Sequence, residues 1–400
     1  MSIRSSGRRT GSGAVALAIG ASVLLAPTAA GTPRAEPLPP RPAPSASEAL
    51  LHRDGTHVRA RPGAPELPDD VSALSWLVAD ARTGEVLAAH DAHRRLPPAS
   101  TLKTLFALTA LPNLPRGAHH TVTEADLDDV PDGSSTVGVS ADQTYRVADL
   151  WRGVFLSSGN DAVHVLAEMN GGWEATAAQM QAKARTLGAR DTTVVSPDGF
   201  DAEGQASSAY DLAVFGRTGL ADPAFAEYAA TADARFPGGT HSDGSPTWTF
   251  GIENTNRLVT GEDGVGRYPG IIGVKNGYTS RAGYTLIAAA RRGGRTLLVT
   301  VMNPQRSNPN AVYYEAGTLL DWGFAAAGHV EPVGSLDPPA SPAPPSALAA
   351  PPAHAVTPEP RQAGTHTAYG VSAALLAAAT LAGAAVLRGR RNRRPGAPRA

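Results

Sequence analysis

Three short patterns in this 400-residue chain hold side chains that can do chemistry together: Ser100-Thr-Leu-Lys103, Ser158-Gly-Asn160 and Lys275-Asn276-Gly277. A serine hydroxyl is a weak nucleophile until a base takes its proton. Positions i and i+3 share a helix face, so Lys103 Nζ can reach Ser100 Oγ. The residue type is telling. Of 35 basic residues only Lys103, Lys183 and Lys275 are lysines. Arginine effectively never deprotonates, whereas a lysine can when burial or a neighbouring cation lowers its pKa. Pro97 and Pro98 stop any preceding element, and an apolar period begins after Ser100. Ser100 is therefore expected in the first turn of a helix, where free N–H groups and the dipole favour developing negative charge.

The other two patterns are weaker alone. Ser158 offers a hydroxyl that can pass a proton and Asn160 an amide that can orient a group, yet Ser-x-Asn is mostly a cap at a helix start. Lys275 closes an apolar strand, and Gly277 lets a ligand approach the backbone. Together they gain weight: Ser-x-x-Lys and Lys-x-Gly each occur once, and two of the three lysines fall in them. No His-Glu-x-x-His and no Gly-x-Ser-x-Gly occurs, and His90, His93, His119 and His120 read as loop residues. Neither a metal nor a cofactor is called for.

The elements that must position these groups can be read coarsely. Apolar runs at 73–79 and 85–89 flank a turn at 81–84, a hairpin pattern. Near the far end, Ile271–Lys275, Tyr284–Arg291 and Thr296–Met302 read as three more strands, with a tight turn at Arg292-Gly293-Gly294 between the last two. Between the two groups the spacing predicts helices over 101–111, 147–169, 173–187 and 209–218, the second interrupted at Ser158-Gly159-Asn160. A last amphipathic helix is expected over about 310–326. Strands from both ends of the chain must then share one antiparallel sheet, with a helical insertion between them.

The termini read differently. Residues 1–30 have the three-part layout of an export signal: Arg4, Arg8 and Arg9, an apolar run over 14–26, then small residues. Residues 31–69 and 330–366 are rich in Pro and Ala and read as flexible segments. Residues 367–387 carry no charge, and as a helix they span roughly 30 Å, enough for a bilayer core. The basic tail at 388–400 would stay on the cytoplasmic side. With no cysteine, the folded head at 70–329 must rest on an ordinary core. A net charge of −1 gives no support to nucleic-acid binding.

In their order along the chain, Pro-Ala-Ser-Thr-Leu-Lys, Ser-Ser-Gly-Asn-Asp-Ala and Gly-Val-Lys-Asn-Gly-Tyr-Thr-Ser-Arg-Ala-Gly-Tyr resemble the three motifs of the serine-type D-alanyl-D-alanine carboxypeptidases, the low-molecular-mass penicillin-binding proteins of peptidase family S11. The segments at 184–200 and 253–258 are similar to family text too, and the resemblance covers about 70–326. It implies an α/β (α+β) fold of the β-lactamase/transpeptidase type: a five-stranded antiparallel sheet flanked by helices, with a helical subdomain inserted. It further implies that Ser100 attacks the penultimate D-Ala of a peptidoglycan stem peptide, with Lys103 as base. Ser158 would relay a proton, and Asn160 would hold Lys103 and the substrate amide. Lys275, Asn276, Gly277 and Tyr278 would bind substrate, the N–H groups of Ser100 and Tyr278 forming the oxyanion hole and Lys275 helping to depress the pKa of Lys103. β-Lactams would acylate Ser100. Asn276 departs from the family, which usually has a hydroxyl residue there, and the Pro-rich linker is expected in place of the β-rich C-terminal domain of many relatives. The same site could cut cross-links as a D,D-endopeptidase, turn over β-lactams, or be silent in a wall-binding protein. A class A β-lactamase would need a Glu-x-x-Leu-Asn stretch, which is absent between Ser158 and Lys275.

Overall fold

Burial on both faces explains the central sheet. Along β2 (Ala73–Asp80) Leu77 and Ala79 point to one face while Trp76 and Val78 point to the other. Both faces are covered, so both sets are apolar. The computed structural model describes residues 48–337. The segment expected to be an export signal, the rest of the chain up to 47, the linker from 338, the membrane span expected over 367–387 and the basic tail lie outside the described residues. Among the described residues no helix is long and apolar enough to cross a membrane.

The chain enters through α1 (Glu48–Leu51) and β1 (Thr56–Ala60), then makes the β2/β3 hairpin with β3 (Glu85–His90). A 3₁₀ turn (Ala99–Leu102) leads into α2 (Lys103–Ala110). The insertion follows: a small pair β4 (His119–Thr121) and β5 (Thr144–Arg146), then α3 (Val147–Leu156), α4 (Asn160–Met169), α5 (Trp173–Thr186), α6 (Ala209–Leu220) and α7 (Pro223–Ala230). A hairpin of β6 (Asp233–Thr240) and β7 (Pro246–Glu253) and the short α8 (Arg257–Thr260) lead back to the sheet. β8 (Ile271–Thr279), β9 (Gly283–Arg292) and β10 (Arg295–Pro304) complete its centre; α9 (Ala311–Ala326), β11 (Val330–Glu331) and β12 (Gly334–Ser335) close the described chain.

The sheet order is β11-β1-β3-β2-β10-β9-β8, with β12 beside β3, and every pairing is antiparallel. β2, from early in the chain, and β10, from late in it, meet in the middle, Leu77 opposite Thr300. Five strands, β3 to β8, are the ones expected. β1, β11 and β12 extend the sheet, so the ordered head reaches past both expected limits of 70 and 329. β1 escapes a periodicity reading because all five of its residues are exposed or only half-buried; β11 and β12 have two residues each. The β4/β5 and β6/β7 pairs also lie in a stretch expected to be mostly helical.

One face of the sheet packs on the insertion: Leu77, Ile287 and Leu298 join Leu105, Phe106, Leu212 and Phe215. The other face packs on α9 through Val78, Leu286, Val299, Leu319 and Leu320. Leu320 is fully buried, and truncating such a leucine costs about 2–5 kcal/mol. Leu320→Ala is expected to lower the urea midpoint accordingly while the refolded protein keeps its active site; an unchanged midpoint would refute this packing.

Candidate active site

The site forms where the 3₁₀ turn and α2 meet the open edge of β8. Pro98 carbonyl oxygen accepts hydroxyls from Thr101 (2.5 Å) and Thr285 of β9 (2.9 Å), which pins the residue before the turn. Ala99 then takes φ of 50°, a left-handed conformation costing a non-glycine residue roughly 1–2 kcal/mol. Such strain gathers at functional sites, held by surrounding structure. Ser100 follows, partly exposed, and Lys103 one turn on is buried.

Lys103 Nζ donates to Ser100 Oγ at 2.8 Å and to the Asp198 carbonyl oxygen at 2.7 Å. Burial disfavours its charged form and lowers its pKa from 10.5 to about 8, against the opposing pull of the Asp198 and Asp161 carboxylates. Lys275, on β8, is buried as well and donates to the Asn276 carbonyl oxygen (2.9 Å) and Oδ1 (3.3 Å). Its pKa falls well below the ordinary value, through burial first and repulsion by Lys103 second. The two buried lysines repel one another, while the Asp198 and Asp161 carboxylates support the charge on Lys103.

Gly277 explains why a glycine stands there. A Cβ would lie 2.7 Å from Ser100 N and 2.7 Å from Thr285 Oγ1. The strand backbone therefore passes directly beside the nucleophile's own N–H. Tyr278, the next residue, is 59% exposed and its ring packs against Tyr284 at 4.6 Å between centroids. Asn276 is turned into the scaffold. Its Oδ1 accepts from Thr255 Oγ1 (3.0 Å) and its Nδ2 donates to Thr255 O (3.2 Å) and Tyr313 Oη (3.3 Å), tying β8 to the residues before α8 and to α9.

Ser158 and Asn160 arrive from the α3/α4 connection. Ser158 also has a left-handed φ, 58°. Asp161 fixes this corner: its carboxylate accepts the N–H groups of Val137, Gly138 and Val139 at 2.8–3.1 Å. Ser158 Oγ and Asn160 Oδ1 are buried and, among the described residues, have no hydrogen-bond partner. Unsatisfied buried polar atoms call for an explanation, and a catalytic role is one. Asn160 does not hold Lys103 by a hydrogen bond; that place is taken by the Asp198 carbonyl oxygen. Any residue can supply a carbonyl, so no sequence pattern could have revealed Asp198. No group of three or more His, Asp or Glu side chains placed to hold a metal occurs among the described residues.

A buried lysine held on a serine hydroxyl, with a second buried lysine on β8, is an arrangement suited to the acyl-transfer chemistry of a serine enzyme. Residues 61–306 match the D-alanyl-D-alanine carboxypeptidase family, peptidase S11. The chain is 41% identical over 267 residues to the D-alanyl-D-alanine carboxypeptidase DacB2 of Mycobacterium tuberculosis, covering 66% of this chain and 86% of that protein. It is 29% identical to the carboxypeptidase DacF of Bacillus subtilis, over 63% of this chain and 62% of that one. A solved D-alanyl-D-alanine carboxypeptidase from Mycobacterium tuberculosis superposes with a TM-score of 0.61 at 39% identity, covering 69% of this chain and 99% of that one. The Streptomyces K15 DD-transpeptidase superposes with a TM-score of 0.59 at 26% identity, covering 65% and 100%. The chain belongs to the S11 family of serine peptidases.

Gly277→Ala tests the close approach of β8 to Ser100. The added methyl must displace the strand or the Ser100 N–H, and loss of one such donor costs on the order of 10²-fold in rate. Acylation by a fluorescent penicillin is expected to slow by that order with the thermal midpoint little changed; wild-type acylation in a folded variant would rule the arrangement out.

Proposed function

We propose that the protein removes the terminal D-Ala from peptidoglycan pentapeptide stems through an acyl-enzyme on Ser100. The observation that carries this is the buried Lys103 Nζ held 2.8 Å from Ser100 Oγ. Deprotonated, Lys103 takes the Ser100 proton as Oγ attacks the carbonyl of the penultimate D-Ala. Negative charge develops on that oxygen, where the N–H groups of Ser100 and Tyr278 receive it; such a donor supplies roughly 3–4 kcal/mol in other enzymes. The proton passes through Ser158 Oγ to the departing D-Ala amine. Asn160 Oδ1, an open acceptor, takes the N–H of the substrate amide. The terminal carboxylate pairs with Lys275, an opposite charge that offsets the burial lowering its pKa. Water then hydrolyses the ester.

Asn276 fits this reading without a direct part in it, since its amide serves the link from β8 to Thr255 and Tyr313. The export signal at 1–30 and the span at 367–387 would place the head outside the membrane, facing the wall, with the basic tail in the cytoplasm. A chain ending at residue 366 is then expected in the medium; its retention in the membrane fraction would contradict the anchor.

The base predicts its own pH profile. The neutral form of Lys103 does the work, so penicillin acylation should rise about tenfold per pH unit below pH 8 and level off above it. Ser100→Ala is expected to abolish both the label and D-Ala release from a pentapeptide mimic. Label retained in Ser100→Ala, or D-Ala release that is flat from pH 6 to 9, would overturn the assignment.

A further inference from the structure

Away from the catalytic cleft, the C-terminal end of α5 and the segment after it enclose a cavity of about 520 Å³ lined by Gln181, Arg185, Ala189, Arg190, Thr192 and Thr193. Its floor is rigid. Gln181 donates to Thr192 O (3.1 Å) and accepts from Val194 N (2.9 Å), and Thr192 Oγ1 is bonded to Asp211 (2.7 Å) and Ser207 (2.9 Å). Its rim is cationic. Arg185 and Arg190 are exposed, and among the described residues neither guanidinium has a hydrogen bond or an ion pair. A third, Arg95, comes from another part of the chain and donates to Thr193 Oγ1 at 2.8 Å.

Elsewhere on the fold, ion pairs to carboxylates engage Arg59, Arg116, Arg146, Arg217 and Arg292, whereas Arg185 and Arg190 have none among the described residues. No carboxylate lines the cavity. The nearest acidic side chain in sequence, Asp191, is held by His93 Nδ1 (2.7 Å) and Ser208 Oγ (2.8 Å). The α5 dipole accounts for cations in its last turn, which are Lys183 and Arg185. It does not account for Arg190, which lines the cavity from the segment after α5, or for Arg95, which bonds to the lining residue Thr193.

We propose that this cavity is an anion-binding site for a phosphoryl group, of the kind repeated along a phosphodiester polymer. Guanidinium forks match phosphate oxygens bidentately and carry a fixed charge. The volume falls within the range of ligand pockets, about 300–1,000 Å³, and exceeds what one carboxylate fills. The site lies close to the chemistry along the chain. Arg95 precedes Ser100, and Thr193 precedes Asp198, by five residues each, so either link spans at most about 18 Å. A polymer held there stays within reach of the catalytic cleft without entering it.

The test uses the folded protein and a soluble glycerol-phosphate oligomer, with inorganic phosphate as competitor, followed by calorimetry at several salt concentrations. Saturable binding is expected, displaced by inorganic phosphate and weakened by salt. Arg185→Gln with Arg190→Gln should weaken it by at least about tenfold and flatten the salt dependence, the loss expected for charge-assisted contacts. D-Ala release from a soluble pentapeptide mimic should stay unchanged in that variant. Arg59→Gln on β1 with Arg61→Gln just after it removes the same charge elsewhere and should leave binding intact. No binding by the wild-type chain, equal binding by the cavity variant, or equal loss in the β1 control would each overturn the proposal.

Discussion

A lysine kept out of water beside a serine hydroxyl is the constraint on which the rest of this structure depends. Lys103 is 1% exposed, and a buried ammonium is costly unless it is paired or neutral. The fold meets that cost partly with Asp198 and Asp161, whose carboxylates favour the charge, and partly by letting the proton leave near pH 8. A group whose protonated and neutral forms are so closely balanced can act as a base and then as an acid. Arginine could do neither, which accounts for lysine at position 103 in a chain otherwise built with arginine.

Holding that balance takes elements from distant parts of the sequence. The 3₁₀ turn and α2 bring Ser100 and Lys103, the segment before α6 brings the Asp198 carbonyl, and β8 at the edge of the sheet brings Gly277 against the Ser100 N–H. Two strained residues, Ala99 and Ser158, sit at the joints. Each is braced: Ala99 by the doubly bonded Pro98 carbonyl, Ser158 by the Asp161 clamp three residues on. The large core beneath supplies the stability that such local strain consumes. Lys275 completes the pocket as a second buried cation whose charge waits for an anion.

Much of this was legible in the sequence. The hairpin of β2 and β3, the three strands β8 to β10, and the helices α2 to α6 and α9 follow from period-2 and period-3.6 spacing, because both faces of the sheet and one face of each helix are buried. Ser100, Lys103, Ser158, Asn160, Lys275 and Gly277 stood out by residue type and motif order, and the fold sets Lys103 on Ser100 and Gly277 beside the Ser100 N–H. What stayed hidden was of two kinds. Asp198 acts through its backbone, and Asp161 through hydrogen bonds to a remote loop, neither of which leaves a pattern. The β6/β7 hairpin did leave one: Asp243-Gly244 between the β-branched and aromatic runs is a turn signal. It was obscured by Gly238 and Gly239, which break the alternation in β6 where the Trp248 ring lies against them.

With three lysines in the chain, lysine side chains labelled with ¹³C at Cε give an NMR spectrum simple enough to assign by single substitutions. Titrating the folded protein then reads the Lys103 protonation state directly, apart from any substrate. The account predicts a midpoint near 8 for the Lys103 resonance. A midpoint at 10.5, the value of a lysine in water, would show that Lys103 remains an ordinary cation at neutral pH and would contradict its role as the base.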